Sequence, residues 1–257
     1  ADGMTTLVSI HSFRGGTGKS NTSANLAAQL ARTGARVAVI DTDIQSPGIH
    51  VLFGFDEDDL GTTLNDYLHG AAPIEAAAHE VTDQIGAATD GAALFLVPSS
   101  IKASEIARIL REGYDVGRLN DGFRELGEAL NLDYLLVDTH PGLNEETLLS
   151  ITVSDVLILI LRPDKQDFQG TAVTVDVARR LDVPELLLLV NKVPSSVDRD
   201  TLARDVAEAY QSEVGGVLPL SEAVVENSSG ALFSITNPDE EWSKTLVALA
   251  ARIAERS

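Results

Sequence analysis

A glycine-rich loop, Arg14-Gly15-Gly16-Thr17-Gly18-Lys19-Ser20, separates an apolar run, Leu7 to Phe13, from a helical run, Ser20 to Arg32. Strand, glycine loop and helix in that order constrain the fold more than any other feature of the chain. Glycines let consecutive backbone N–H groups turn inward, and the helix N-terminus adds partial positive charge, so the segment cradles phosphate. Lys19 is placed to reach β- and γ-phosphates, and the Ser20 hydroxyl to ligate Mg²⁺. The plainer alternative is a glycine turn that happens to precede a helix. Because strand and helix contexts both fit, the loop implies that the chain binds a nucleoside phosphate.

The rest of the sequence supplies a core to carry that loop. A chain of 257 residues makes one large domain or two small ones, and hydrophobic content of 44% with 5% aromatics fits an Ala/Leu/Val-rich α/β protein. No internal repeat or low-complexity linker interrupts it, so a single domain over 4–257 is expected, with Ala1-Asp2-Gly3 ahead of Met4 read as a vector-derived extension. No apolar run reaches the roughly 18 residues of a membrane span and no signal peptide opens the chain, which predicts a cytoplasmic protein. With no cysteine, disulfides, Cys-ligated zinc and iron–sulfur clusters are excluded.

Apolar runs alternate with helical stretches. Strands are predicted at 6–13, 36–41, 93–97, 133–138, 155–161, 185–190 and 214–218. Helices are predicted at 20–33, 62–69, 103–111, 115–130, 144–151, 168–181, 199–209 and 240–255. Runs such as Val156-Leu157-Ile158-Leu159-Ile160-Leu161 are apolar on both faces, the mark of central strands covered by helices on each side. The predicted fold is α/β: a doubly wound, mostly parallel sheet flanked by helices.

Three further segments fall where a nucleotide hydrolase needs them. Val37-Ala38-Val39-Ile40-Asp41-Thr42-Asp43 is a buried strand ending in carboxylates, and ligands sit at strand carboxyl ends in such sheets. Tyr134-Leu135-Leu136-Val137-Asp138-Thr139-His140-Pro141-Gly142 is an apolar strand ending in Asp and a Pro-Gly turn, which places Asp138 to hold Mg²⁺. Leu189-Val190-Asn191-Lys192-Val193-Pro194 ends a strand in an amide that either meets a purine edge or merely terminates the strand. Pro194 stands where a guanine reader has Asp, so adenine fits better.

The loop resembles KGGxGK[ST], the deviant Walker A loop of the MinD/ParA family, with Arg14 in place of the signature lysine and Phe13 where the strict P-loop pattern has glycine. The resemblance runs from Thr5 to the C-terminus. It implies a P-loop ATPase that binds ATP and Mg²⁺, dimerises face to face around two nucleotides, and serves as a spatial organiser. Partner-stimulated, slow hydrolysis to ADP and phosphate is implied as well. Nucleotide contacts are implied at Arg14, Gly15, Gly16, Thr17, Gly18, Lys19, Ser20 and Asn21, at Asn191 and Lys192, and at Pro219 and Leu220 in the loop under the adenine. Metal contacts are implied at Ser20 and Asp138, and catalytic roles at Arg14, Lys19 and Asp43. Arg14 is expected to cross to the other subunit's phosphates, and Asp43 to orient the attacking water. His140, in a slot often held by proline, is either a pH sensor or an ordinary turn histidine.

The net charge is −20, from 39 acidic against 19 basic residues. Such a surface repels nucleic acid and anionic lipid, which argues against direct DNA or membrane binding and for a protein adaptor with a basic segment. Trp242, Leu246, Leu249 and Ile253 recur at helical spacing, yet the polar face of 240–255 lacks the basic excess of a membrane helix. Docking onto the sheet is expected. Two other readings stand beside the ATP-dependent organiser. One is a ligase or kinase on the same fold, the kinase version disfavoured by the scattered tyrosines 67, 114, 134 and 210. The other is a non-hydrolysing, ATP-gated scaffold.

Overall fold

The computed structural model describes residues 4–227 and 231–256; residues 1–3, read above as an extension, lie outside the described residues. The strands are β1 (Thr6–His11), β2 (Arg36–Asp41), β3 (His79–Glu80), β4 (Ala93–Val97), β5 (Tyr134–Asp138), β6 (Val156–Leu161), β7 (Glu185–Val193) and β8 (Glu213–Pro219). The α-helices are α1 (Lys19–Arg32), α2 (Ile49–Leu52), α3 (Leu64–Leu68), α4 (Ala103–Glu112), α5 (Val116–Ala129), α6 (Glu145–Thr152), α7 (Lys165–Arg180), α8 (Arg199–Tyr210), α9 (Glu222–Glu226), α10 (Phe233–Thr236) and α11 (Glu241–Glu255).

The strands form one eight-stranded sheet in the order β3-β4-β2-β5-β1-β6-β7-β8, parallel throughout except for the β3–β4 edge pair. All six residues of β6 are buried, as expected of a central strand under helices on both faces. On one face α1 and α11 pack over the sheet, with Trp242, Leu246, Leu249 and Ile253 in the core. That is the expected docking of the last helix. On the other face α5 and α7 cover separate halves, with Phe123 and Leu126 in one cluster and Val175 and Ala178 in the other.

Every predicted strand and helix is present, and the differences have local causes. The first strand ends at His11 instead of residue 13, because Ser12 and Phe13 already belong to the glycine loop. Helix α7 starts three residues earlier than expected, since the Asp164 side chain caps it by accepting from the Asp167 N–H. Strand β7 runs on to Val193 through a register shift, with Lys192 in the left-handed region at φ 59°. The short β3, α2, α9 and α10 carry too few residues for periodicity to reveal them.

In a parallel sheet the carboxyl ends of the strands share one edge. The loops after β1, β2, β5, β6 and β7 therefore converge there.

Candidate nucleotide site

The glycine loop turns sharply between β1 and α1. Gly16 and Gly18 have φ of 80° and 84°, a region that L side chains avoid. At Gly18 a Cβ would come within 2.5 Å of Asn191 Nδ2, so the loop presses against the end of β7 there. Phe13 takes the first glycine position of the strict pattern, and its ring lies against Gly170 of α7, where any Cβ would overlap it.

The donor set fits a phosphate. Helix α1 opens on Gly18 with no side-chain cap and no acidic residue in its first turn, leaving N-terminal N–H groups and positive dipole uncompensated. Thr17 Oγ1 is buried and has no hydrogen-bond partner among the described residues. Lys19 donates from Nζ to Asp138 Oδ1 at 2.7 Å, with side-chain exposures of 8% and 0%. The Ser20 hydroxyl also donates to the Asp138 carboxylate at 3.0 Å, and the Ser23 hydroxyl shares its proton between the Lys19 carbonyl at 2.8 Å and Asp138 Oδ1 at 3.1 Å. Lys19, Ser20 and Asp138 are thus brought together, a cation and a hydroxyl on the carboxylate that could hold a divalent ion. Among the described residues no group of three or more His, Asp or Glu side chains is placed to bind a metal alone. Mg²⁺ does not require one, since it keeps waters and phosphate oxygens as ligands.

Asp41 and Asp138 are register neighbours on β2 and β5. Burial, and then the adjacent Asp138 charge, push the Asp41 carboxyl up to about 8. Asp41 is spent on shaping its own loop, accepting from the backbone N–H groups of Asp43, Gly48 and Ile49. Asp43, two residues on, receives His140 Nδ1 at 2.6 Å. His11 lies under the loop, fully buried. Thr139 gives its hydroxyl proton to the Ile10 carbonyl and so accepts from His11 Nδ1 at 2.6 Å, leaving Nε2 without a proton and without a well-formed hydrogen bond among the described residues. Burial, helped by the Lys19 charge, drives the His11 pKa down to about 3.

Arg14 sits differently from a free, outward cation. Its guanidinium donates to Asp164 Oδ2 at 2.5 Å, to Gln166 Oε1 at 2.7 Å and to Asp167 Oδ1, all around the N-terminus of α7. These three acceptors were not foreseen from sequence. Their signal was an Asp-x-Gln-Asp cluster after a fully apolar strand, which alone reads as helix capping. At the other end of the site Asn191 Nδ2 donates to the Thr17 carbonyl at 2.8 Å, and Lys192 Nζ to the Gly16 carbonyl at 2.7 Å. The Asn-Lys pair therefore clamps the phosphate loop. Beside it Gly18, Asn21, Asn191, Pro219, Leu220, Val225 and Trp242 line a cleft of about 220 Å³. Val225 and Trp242 were not foreseen as part of it.

A sequence profile of the AAA_31 family, described as an AAA domain, matches residues 5–182. The chain belongs to that family. Among its relatives an uncharacterized ATP-binding protein of Methanocaldococcus jannaschii is 26% identical over 97% of this chain and 88% of its own length. The chromosome partitioning protein ParA of Caulobacter vibrioides is 27% identical over 84% of this chain and 83% of its own. The septum site-determining protein MinD of Pyrococcus horikoshii, solved with Mg-ADP, superimposes with a TM-score of 0.81 at 21% identity, covering 98% and 97% of the two chains. This AAA-domain chain therefore has the MinD/ParA P-loop fold, as the sequence resemblance implied. Among the described residues no helix is long and apolar enough to cross a membrane.

Proposed function

We propose that the chain binds Mg·ATP at the loop after β1, hydrolyses it slowly, and uses the nucleotide state to switch between monomer and face-to-face dimer as a positioning device. One observation carries the reading: buried Lys19 and Asp138 meet the half-buried Ser20 at an uncapped helix N-terminus. Lys19 would turn from Asp138 to the β- and γ-phosphates, and Asp138 with Ser20 would hold Mg²⁺. The metal, when bound, screens phosphate charge. Asp43, across the loop, orients the attacking water. Adenine fits the cleft between Asn191 and Pro219-Leu220, because Pro194 stands where guanine recognition needs a carboxylate. The relatives' names, ATP-binding protein and chromosome partitioning protein, support an ATP-dependent organiser over a ligase or kinase.

Arg14 reaches the partner subunit's nucleotide only after leaving Asp164, Gln166 and Asp167. Held as it is, it also favours the second reading, an ATP-gated scaffold with little turnover. The net charge of −20 favours a protein adaptor with a Lys/Arg-rich segment over nucleic acid or lipid as the surface partner. Phosphate release and sedimentation velocity with Mg·ATP and Mg·ADP test the reading. It predicts slow turnover and an ATP-only dimer; a monomer under both nucleotides contradicts it. Liposome and plasmid pelleting near physiological ionic strength test the adaptor, and strong ATP-dependent pelleting with either contradicts it.

A further inference from the structure

We propose that His140 is a positioning residue for hydrolysis, fixing the Asp43 carboxylate and joining the loop after β2 to the loop after β5. The proposal rests on the ATPase reading above and deepens it.

An ionised carboxylate only accepts, so the 2.6 Å contact between His140 Nδ1 and Asp43 Oδ1 carries its proton on the imidazole. The bond forms with the imidazole neutral or charged. Asp43 Oδ2 makes no hydrogen bond among the described residues. One oxygen is therefore held and the other is left to meet water.

The two loops differ in how firmly they are anchored. His140 stands between two fixed points: the Thr139 N–H and hydroxyl both donate to the Ile10 carbonyl, and the Gly142 N–H donates to the Ser12 carbonyl at 3.0 Å. Both anchors lie on β1 and the start of the glycine loop, so the imidazole projects from a segment tied to the phosphate cradle itself. Asp43 has backbone restraints, its N–H on Asp41 Oδ1 and its carbonyl accepting from the Ser46 N–H. Among the described residues its side chain is hydrogen-bonded by His140 alone. The Asp43 side chain is 13% exposed and that of His140 is 34% exposed, so the pair forms the rim of the site.

Phosphoryl transfer gains its rate from positioning and electrostatic stabilisation, and a group misplaced by about 1 Å costs on the order of 100-fold. Freeing the Asp43 carboxylate to rotate therefore lowers turnover without weakening nucleotide binding. His140 does not touch the reacting atoms; it acts through Asp43.

The test is steady-state hydrolysis of Mg·ATP by wild type, His140→Ala, His140→Asn, Asp43→Ala and the double alanine variant, with Mg·ATP affinity measured by calorimetry. His140→Ala should lower kcat about 10- to 100-fold with Kd within about twofold. His140→Asn, whose amide N–H can stand near the position of Nδ1, should recover most of the rate. In the Asp43→Ala background the second substitution should cost nothing more. Wild-type turnover in His140→Ala overturns the proposal, as does an Asn variant as slow as the Ala variant. If His140→Ala does not fold, the Asn variant and the pair cycle built with it decide. A wild-type protein that binds Mg·ATP without turnover overturns the hydrolase reading together with this proposal, whereas the first two outcomes overturn this proposal alone.

Discussion

Replacing Asp138 with alanine removes the acceptor of Lys19 Nζ and Ser20 Oγ in one step, while Ser23 Oγ keeps the Lys19 carbonyl. Both members of the ion pair are sequestered, with side-chain exposures of 8% and 0%. Removing one partner of such a pair costs about 3–5 kcal/mol, because the remaining charge keeps its desolvation penalty. Asp41 remains beside the site and loses the repulsion of Asp138, so it ionises more readily and offsets part of the loss. The expected value is therefore near the lower end, about 3 kcal/mol. With a urea dependence of about 3 kcal/mol per molar, the midpoint falls by about 1 M. Urea unfolding at pH 7.5 without nucleotide is the assay. Saturating ADP without Mg²⁺ should narrow the gap between the two proteins, since phosphate then replaces the missing carboxylate as the partner of Lys19. A loss below about 1 kcal/mol, or a gap that ADP leaves unchanged, refutes the idea that Lys19 rests on Asp138 until phosphate arrives.

Gly18→Ala should cost about 2–3 kcal/mol, combining a left-handed backbone with a Cβ that displaces Asn191 from the Thr17 carbonyl, and should weaken nucleotide binding; Gly15→Ala, which meets open space, should change little in thermal melts. His11 stays neutral in the folded protein to about pH 3, whereas its unfolded counterpart protonates near 6.5. Protons then favour the unfolded state, and stability falls as pH drops below 6.5 by up to about 1.4 kcal/mol per unit. Asp41, raised to about 8, acts with the opposite sign as pH rises from 4 to 8, so the His11 contribution is read as the difference from His11→Asn between pH 6.5 and 5; parallel pH profiles contradict it. Asp164→Ala removes one of the acceptors that hold Arg14 on its own chain, and should lower the protein concentration at which the Mg·ATP dimer forms in sedimentation velocity. A weaker dimer contradicts the latch.

The fold was legible because its central strands are unbroken apolar runs, as in Val156–Leu161, and because these alternate with helical stretches along the chain. The candidate site was legible where chemistry and position coincide, at Lys19, Ser20 and Asp138, each at a strand or helix end. What escaped depends on side-chain direction. Arg14 is bound to residues about 150 positions away in sequence, a pairing that no local spacing encodes. Asn191 was read either for a purine edge or as the end of a strand, and Lys192 as a nucleotide contact; their side-chain amide and ammonium donate to carbonyls of the glycine loop, at the irregular end of β7. The His140–Asp43 bond joins two motifs read separately, and only the β2–β5 adjacency brings them together.

The central claim, that the loop after β1 holds Mg·ATP through Lys19, is tested most directly by calorimetric titration of Mg·ATP into the wild type and Lys19→Ala. The wild type should bind one nucleotide per chain, and the variant should bind at least about 100-fold more weakly, having lost a charge-assisted contact to phosphate. Equal affinity in the two proteins, or no binding by the wild type, would contradict the account.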